Sequence, residues 1–216
     1  MQHVPRQAGP GEAQVRVHAV GISRSDRDVY LGRRPVPYVR YPVTPGHEWS
    51  GTVTAVGEGA PAPLLGRKVV GEGLRTCGTC APCRDGETDL CTLGYEETGF
   101  TLPGAMAPTR VLPARLLHTL APDADLTAAA FLEPAGIPVQ GAERLDPAQV
   151  VARQLSIGTA FGPSSGAWSY AVSAFSAGRL TPLELLTHQL GIDEFERAME
   201  LTGSGDPRVG RVLLRP

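Results

Sequence analysis

The sequence predicts an α+β fold that is mainly β, with a small, partly closed antiparallel barrel followed by a few C-terminal helices. The first observation is composition: 26 glycines and 20 prolines make up about a fifth of the 216 residues, against roughly 12% in an average protein. Turn residues at this frequency are typical of short strands joined by turns and argue against a helical bundle. The second observation is order along the chain, because strand-like alternation comes first and helical periodicity comes late.

Four segments of the first half of the chain have the pattern of strands. Residues 13–20 alternate between apolar and polar side chains, as in a strand with one buried face. Further strands are predicted at 51–56, at 67–70 and near 106–112, with turn residues between them. Short strands separated in this way are typical of a small antiparallel barrel. A last strand is predicted at 209–214, near the end of the chain.

Helical patterns lie in the second half. Residues 126–145 have mixed character, and Pro134 and Pro138 are expected to interrupt or kink a helix there. A clearer helix is predicted at 168–177, with a serine at 164–165 as its cap.

One more helix is predicted at 195–202, with the acidic pair 193–194 at its positive end. The aromatic residues of the preceding helix, Trp168, Tyr170 and Phe175, are expected to lie in the core rather than to form a binding platform.

Composition and charge exclude several classes of partner. A hydrophobic fraction of 42% with 19% charged residues is enough for a folded core, and a net charge of −2 offers no electrostatic case for nucleic acid. The longest apolar stretches are far shorter than the ~18–20 residues that span a bilayer, and residues 1–6 contain no apolar signal core. The sequence therefore predicts a cytoplasmic protein that binds neither nucleic acid nor a membrane.

All four cysteines lie close together, at Cys77, Cys80, Cys83 and Cys91. The short spacings let successive thiolates turn back onto one ion, and four thiolates close a tetrahedral shell around zinc with no position left for a substrate. Two disulfides or free thiols are the alternative interpretation: a reducing compartment disfavours the disulfides, and a four-cysteine cluster at zinc-site spacing is a specific signal for metal binding. We expect one structural zinc per chain, stabilising a loop that has no core of its own.

A second pattern, Gly162-Pro-Ser164-Ser-Gly166, formally fits the Gly-x-Ser-x-Gly signature of a hydrolase nucleophile. Only His188 and then Asp193 follow within the next thirty residues, which reverses the Ser…Asp…His order of that enzyme class. We therefore expect a turn without a nucleophile, which Ser164→Ala would test. The isolated histidines are expected on the surface or in packing roles: His3, His18, His118 and His188.

Four groups of residues occur in a familiar order: Gly21-Ile-Ser-Arg-Ser-Asp26, then Pro45-Gly-His-Glu48, the cysteine loop, and Glu133-Pro134. Together they resemble the zinc-dependent medium-chain dehydrogenase/reductase family, which includes alcohol, sorbitol and threonine dehydrogenases. The resemblance covers most of the chain. It implies a GroES-like catalytic-type domain over residues 1–145 with a structural zinc loop at 76–92. Residues 146–216 would then be the family's C-terminal return segment, packing back onto the same domain.

The sequence departs from the family's pattern in three places. The family's Rossmann domain carries a Gly-x-Gly-x-x-Gly turn that holds the dinucleotide, but here Leu145 runs straight into Asp146 and the motif occurs nowhere in the 216 residues. The family's first strand or two have no counterpart before Val15. Ser23 stands where the family places a zinc-binding cysteine, and a hydroxyl is a much poorer zinc ligand than a thiolate. We interpret the chain as a truncated member that lacks the Rossmann domain and does not bind NAD(P).

The resemblance also implies a second, catalytic-type zinc site. His47 would supply an imidazole, and Glu48 and Glu133 would supply carboxylates. One histidine with two carboxylates leaves a fourth zinc position open to a substrate. Asp26 would orient His47, and Ser25 would match the hydroxyl that relays the substrate proton in alcohol dehydrogenases.

These residues lead to three hypotheses. The first is a metal-assisted, non-redox lyase, dehydratase or isomerase acting on a small oxygenated metabolite, because a metal ion can polarise a carbonyl or hydroxyl without a redox partner. The second is a non-catalytic pseudoenzyme in which Ser23 has abolished the second site and the exposed cleft binds a partner. The third is the catalytic domain of a zinc-dependent alcohol dehydrogenase, separated by design. A homodimer or a partner protein covering the former interdomain cleft is expected.

Overall fold

The computed structural model describes residues 6–135 and 162–216. In these ranges the strands are β1 (Glu12–Ile22), β2 (Glu48–Val56), β3 (Lys68–Gly71), β4 (Leu74–Arg75), β5 (Glu96–Glu97), β6 (Thr109–Pro113), β7 (Leu117–Thr119), β8 (Leu186–Gly191) and β9 (Arg211–Arg215). The α-helices are α1 (Arg24–Tyr30), α2 (Ala81–Arg84), α3 (Leu126–Ala129), α4 (Leu132–Ala135), α5 (Ser165–Ser176) and α6 (Phe195–Thr202). The mainly β class with a few helices is confirmed.

β1 organises the larger sheet. Seven strands form this sheet, in the order β7-β3-β2-β1-β9-β8, with β6 also paired to β1. β2 lines one edge of β1, while β6 and β9 share the other edge, at residues 12–16 and 20–22 of β1. Ala13, Val15 and Val17 are buried and alternate with more exposed neighbours, which is the two-residue period that predicts this strand. β4 and β5 form a separate two-stranded sheet.

The sheet differs from the predicted barrel in closure and in direction. Within the described residues the sheet is not closed into a barrel, because β7 and β8 are its two ends. β8 and β9 run parallel, whereas the other pairs are antiparallel. A parallel pair needs a crossover connection, usually a helix, and α6 lies between the two strands in the chain and packs against both. β8 itself is not predicted from the sequence, since Leu186–Gly191 has no sustained β-branched pattern.

The two longest helices lie where periodicity predicts them. α5 begins at Ser165, three residues before the predicted start, because the Ser164 hydroxyl accepts a hydrogen bond from the backbone N–H of Ala167 and caps the helix. α6 spans Phe195–Thr202, as predicted, and a 3-10 turn at Ile192–Glu194 precedes it.

The segment with mixed helical character divides into short helices. α3 is capped by Asp125, whose carboxylate accepts a 2.7 Å hydrogen bond from Thr127 N. Pro134 lies within the first turn of α4, a position where the missing proline N–H costs no helical hydrogen bond. Pro138 and the rest of the predicted stretch lie outside the described residues.

The core contains most of the predicted aromatic residues, with one exception. Trp168 is buried against Val70 and Leu132, and Phe175 packs against the same cluster. Tyr170, however, is 67% exposed, so its predicted core position is wrong. Two residues along a helix correspond to a rotation of about 200°, which places Tyr170 on the opposite face of α5 from Trp168.

The C-terminal elements pack onto the first half of the chain. β9 pairs with β1 through Val20 and Leu214, and Met199 of α6 shares a hydrophobic cluster with Trp49 of β2. The proposed boundary near residue 145 lies outside the described residues, so the division into segments 1–145 and 146–216 stays a prediction.

Candidate metal centres

A short helix that periodicity does not reveal, α1, carries Asp26 into the molecule. Ser23 is the N-cap of this helix: its hydroxyl accepts from Asp26 N at 3.3 Å, while its own N–H donates to Asp26 Oδ2 at 2.9 Å. This reciprocal pair is a capping box with Asp in place of the usual Glu, and the Ser-x-x-Asp spacing is the signal from which the helix could be predicted. Asp26 is fully buried.

Asp26 faces the Gly-His-Glu motif. Its Oδ1 accepts a 3.0 Å hydrogen bond from Gly46 N and lies 3.5 Å from Nδ1 of His47. Gly46 has a φ of 98°, a left-handed conformation that favours glycine, and a Cβ here would lie 2.8 Å from a methyl group of Val20. Glycine is therefore needed for the chain to bring His47 against Asp26 and then enter β2.

His47, Glu48 and Glu133 form a buried cluster whose ligand atoms all lie within 4.8 Å of one another. Glu48 is the first residue of β2, and Glu133 comes from α4, which packs on β2. Arg211, the first residue of β9, donates to Glu48 Oε1 at 3.0 Å. Glu48 Oε2 is buried and has no hydrogen-bond partner among the described residues. The structure thus brings together the three residues that the resemblance assigns to the second metal.

The charges in this cluster are strongly coupled. Burial alone would lower the pKa of His47, but the nearby carboxylate of Asp26, followed by those of Glu133 and Glu48, outweighs it and raises that pKa to about 10. Burial raises the pKa of Glu133 to about 7, against the opposing charge of His47. Burial also raises the pKa of Glu48, opposed first by Arg211. Burial would raise the pKa of Asp26 as well, but the charge of His47 holds it below its usual range.

The donor set of this cluster fits a divalent cation. Three carboxylates, on Asp26, Glu48 and Glu133, surround one imidazole, and one buried carboxylate oxygen has no partner. Because His47 Nδ1 faces Asp26, the other ring nitrogen is left to act as a ligand. An imidazole with two carboxylates matches zinc sites that keep an open coordination position.

The Ser23 hydroxyl is engaged in the helix cap. It lies 2.7 Å from the hydroxyl of Ser25 and donates to Asp26 Oδ2 at 2.8 Å. These contacts connect Ser25 to the carboxylate that faces His47. The sequence alone shows Ser23 only as a lost thiolate, whereas the structure also shows it as a link in a hydrogen-bonded chain.

The four cysteines form the second cluster, on the loop that contains α2. Their sulfur–sulfur distances are 3.6 Å for Cys77 and Cys91, 3.8 Å for Cys77 and Cys83, and 4.0 Å for Cys80 and Cys91. A tetrahedral zinc ion with bonds of about 2.3 Å needs sulfur–sulfur distances of about 3.8 Å, whereas a disulfide needs about 2.05 Å. All four thiols are free of disulfides. The cluster can therefore hold a structural zinc, and the disulfide alternative is wrong.

The backbone favours a thiolate at Cys77. The N–H groups of Thr79 and Cys80 both donate to Cys77 Sγ at 3.3 Å, and the first of these has the larger part in lowering the pKa of Cys77 to about 5. A thiolate rather than a thiol is the form that binds zinc.

The Gly-x-Ser-x-Gly pattern has a structural role. Ser164 caps α5, and the neighbouring Ser165 donates its hydroxyl to the carboxylate of Glu72 at 2.7 and 2.8 Å. His118 lies 3.0 Å from the same carboxylate and stacks on Trp168. This partly buried network ties α5 to β7, which fits the expected packing role of His118.

An open sheet with a four-thiol loop and a buried His-Glu-Glu cluster defines a domain of the zinc-dependent medium-chain dehydrogenase class. The chain belongs to the alcohol dehydrogenase GroES-like domain family, whose family model matches residues 9–123. In the described residues, no helix is both long and apolar enough to cross a membrane.

Curated relatives and a solved structure agree with this family. The chain is 37% identical over 127 residues to 2-dehydro-3-deoxy-L-galactonate 5-dehydrogenase of Pseudoalteromonas atlantica, covering 59% of this chain and 37% of that protein. It is 32% identical over 202 residues to erythritol/L-threitol dehydrogenase of Mycolicibacterium smegmatis, covering 87% of this chain and 54% of that protein. The chain thus spans about half or less of the length of these relatives. Galactitol-1-phosphate dehydrogenase from Escherichia coli has a similar fold, with a TM-score of 0.82 at 18% identity, covering 100% of this chain and 96% of that chain.

Proposed function

We propose that the chain holds a divalent metal at His47, Glu48 and Glu133 and performs non-redox lyase, dehydratase or isomerase chemistry on a small polyhydroxylated metabolite. The observation that carries this proposal is the close approach of three ligand atoms within 4.8 Å, with one buried carboxylate oxygen left without a partner. A zinc ion bound there supplies a Lewis acid that polarises a carbonyl or hydroxyl oxygen.

The substrate class is inferred from the relatives. One of them is named for a 2-dehydro-3-deoxy sugar acid and another for erythritol and L-threitol, all of which are short, polyhydroxylated carbon chains. Such molecules carry adjacent oxygen atoms, and polarising one of them favours loss of water or movement of a proton at the neighbouring carbon. A compound of this class is therefore the proposed substrate.

Ser25 and Asp26 have distinct roles in the proposed reaction. The Ser25 hydroxyl would exchange a proton with the substrate oxygen. It lies 2.7 Å from the Ser23 hydroxyl, which in turn donates to Asp26 Oδ2 at 2.8 Å, so a hydrogen-bonded chain connects Ser25 to a carboxylate. Asp26 would hold the His47 ring in orientation from 3.5 Å. Arg211 would balance the charge of Glu48.

The proposal that the chemistry is non-redox is supported by a sequence feature. Hydride transfer needs a nicotinamide held against the substrate. The Rossmann fold binds the nicotinamide dinucleotide through a Gly-x-Gly-x-x-Gly turn. No such turn occurs in the 216 residues. We therefore propose that these residues act without NAD(P), and saturable NADH binding by the chain would contradict this.

Metal analysis of the purified protein tests the site. We expect two zinc equivalents per chain by mass spectrometry and one in His47→Ala, whereas His18→Ala, which changes an exposed histidine outside both clusters, should retain two. Turnover is then followed by NMR on a panel of polyols and sugar acids without NAD(P). Turnover that disappears in His47→Ala supports the proposal, while a single zinc that is insensitive to His47→Ala rules it out.

A non-catalytic interaction protein is the second candidate. It is favoured by the loss of the thiolate at Ser23 and by exposed apolar side chains at the end of α1 and in the segment that follows it, including Tyr30, Val36, Tyr38 and Tyr41. This candidate predicts one zinc per chain, no turnover, and a homodimer or a complex in which this run is covered. Light scattering on the purified chain, together with the zinc count, distinguishes the two candidates.

A further inference from the structure

A cavity of about 790 Å³ lies beside β6, between the loop at 98–108 and the start of β1. None of His47, Glu48 and Glu133 lines it, so it is distinct from the candidate metal centre. Its walls are largely apolar and include Leu102, Pro103, Met106, Val111, Leu112 and Leu116. A concave apolar space of this size is within the range of small-molecule sites.

Arg110 of β6 lines this cavity and is only 8% exposed. One of its nitrogens, Nη2, lies 3.4 Å from Thr98 Oγ1. The other two, Nε and Nη1, are buried and have no hydrogen-bond acceptor among the described residues. No carboxylate within the described ranges, 6–135 and 162–216, forms an ion pair with Arg110. A guanidinium with five N–H groups is therefore left largely unsatisfied.

This arrangement is costly for the protein alone. Burial lowers the pKa of Arg110 to about 9, which still leaves the guanidinium charged at neutral pH, and a buried charge without a partner is strongly destabilising. The ring of Trp49, 4.6 Å away, offers a cation–π contact. Its indole Nε1 also has no acceptor in the described part of the chain. The surroundings of Arg110 thus contain donors without acceptors.

The charges around the cavity are positive in excess. Arg6, Arg75 and Arg110 line it, and Glu12 is the single acidic residue among its lining residues. Glu12 already forms an ion pair with Arg6. Arg75 is exposed and adds a second cation that a ligand in the cavity can meet.

We propose that this cavity binds a small carboxylate that carries an apolar tail. The carboxylate pairs with the charged guanidinium of Arg110 through a charge-assisted hydrogen bond, and the tail packs against Met106, Leu112 and their neighbours. The site is independent of the proposed metal chemistry.

Octanoate is a suitable probe, with 1-octanol as a tail of equal length that lacks the charge. Isothermal titration calorimetry and thermal unfolding of the intact chain are expected to show octanoate binding and a raised Tm, with 1-octanol binding far more weakly. Arg110→Met keeps an unbranched side chain without charge and should weaken octanoate binding about 10- to 100-fold, the range expected for lost hydrogen bonds to a charged group. Arg179→Met, an exposed arginine outside the cavity, should leave octanoate binding unchanged.

A direct measurement keeps the proposal testable if Arg110→Met fails to fold. The Nε–H resonance of Arg110 in the wild-type protein, observed by ¹⁵N–¹H NMR, should shift on addition of octanoate and not of 1-octanol. Equal affinity for octanoate and 1-octanol, unchanged octanoate binding in folded Arg110→Met, or no shift of the Arg110 resonance at saturating octanoate would each overturn the proposal.

Discussion

Glu48 and Arg211 form an ion pair of 3.0 Å between Glu48 Oε1 and Arg211 Nη1, across 163 residues of sequence. The pair joins the first residue of β2 to the first residue of β9. Because Glu48 is almost fully buried, its charge needs nearby cations, and Arg211 contributes most to lowering its pKa, followed by His47. The last strand of the chain therefore takes part in the electrostatics of the candidate metal centre.

Arg211→Gln should destabilise the protein and at the same time strengthen metal binding. The variant leaves the Glu48 carboxylate without its counter-charge, so we expect the free energy of unfolding without added zinc to fall by about 2 kcal/mol, a value reduced because Arg211 is partly exposed. Removal of a positive charge beside a cation site should raise its zinc affinity. Urea unfolding with and without zinc measures both effects.

Arg208→Gln is the matched control for this prediction, since Arg208 is exposed and pairs with Asp206 near the surface. It should change the unfolding free energy by less than about 0.5 kcal/mol. A similar loss of stability in both variants would contradict the assigned role of Arg211.

Asp26→Asn should lower both stability and the pKa of His47. The carboxylate of Asp26 accepts from Gly46 N and Ser23 N and faces His47, and an amide of the same size cannot reproduce the charge. We expect a loss of about 3 kcal/mol in urea unfolding and a lower His47 pKa by NMR titration. Asp28→Asn, on the same helix and only partly buried, is the control and should change neither the free energy of unfolding nor the pKa of His47. An unchanged His47 pKa in Asp26→Asn would show that Asp26 and His47 do not interact.

The stability of the protein without added zinc should fall as pH rises through the alkaline range because of His47. Its pKa in the folded protein is raised to about 10, above the ordinary value of about 6.5. A raised pKa means that the folded state binds the proton more tightly than the unfolded state does. The contribution of His47 to the free energy of unfolding is therefore fully present below about pH 6.5 and is lost as pH approaches 10. The pKa of Glu133 is likewise raised, from 4.5 to about 7, so its contribution to the free energy of unfolding also falls with rising pH, but is already lost by about pH 7.

The measurement is the difference in unfolding free energy between the wild-type protein and His47→Gln, followed from pH 6 to pH 10. This difference should decrease steadily with rising pH, and a flat difference would contradict the prediction. Zinc affinity at the same cluster should increase over this range, because metal binding must displace the His47 proton.

Cys83→Ser should remove the structural zinc and loosen its loop. Cys83 is the buried member of the cluster, within α2, and its sulfur lies 3.8 Å from that of Cys77. Loss of one thiolate should reduce the zinc count by one and open the loop to trypsin at Arg84, detected by mass spectrometry. Thr79→Ser keeps the backbone N–H that donates to Cys77 and should retain both the zinc and the resistance to trypsin.

Local patterns were sufficient to predict much of the fold. The alternation at Ala13, Val15 and Val17 marks β1, and the periodicity around Met199 marks α6, because each signal depends only on which side chains face the core. The cysteine spacing likewise predicts a cluster, and the sulfur atoms do converge. Such features can be read from the sequence since their partners lie only a few residues away.

Other features depend on which distant segments meet. The pairing of Glu48 with Arg211, the parallel alignment of β8 with β9, and the unsatisfied guanidinium of Arg110 each arise from contacts between segments far apart in the chain or from burial. Tyr170 shows the same limit, because an aromatic residue in a helix has no intrinsic preference for the face that is buried.

The sequence by itself determined the mainly β class and the four-cysteine cluster, which follow from composition, period and spacing, while its resemblance to a known family implied the second set of metal-binding residues. Only the tertiary structure decided that the Ser23 hydroxyl contacts that of Ser25, that Asp26 faces His47, and that Arg110 is buried beside an apolar cavity. Charge and hydrogen bonding act over a few ångströms of space rather than along the chain, and for that reason the chemistry of these residues became visible only once the chain was folded.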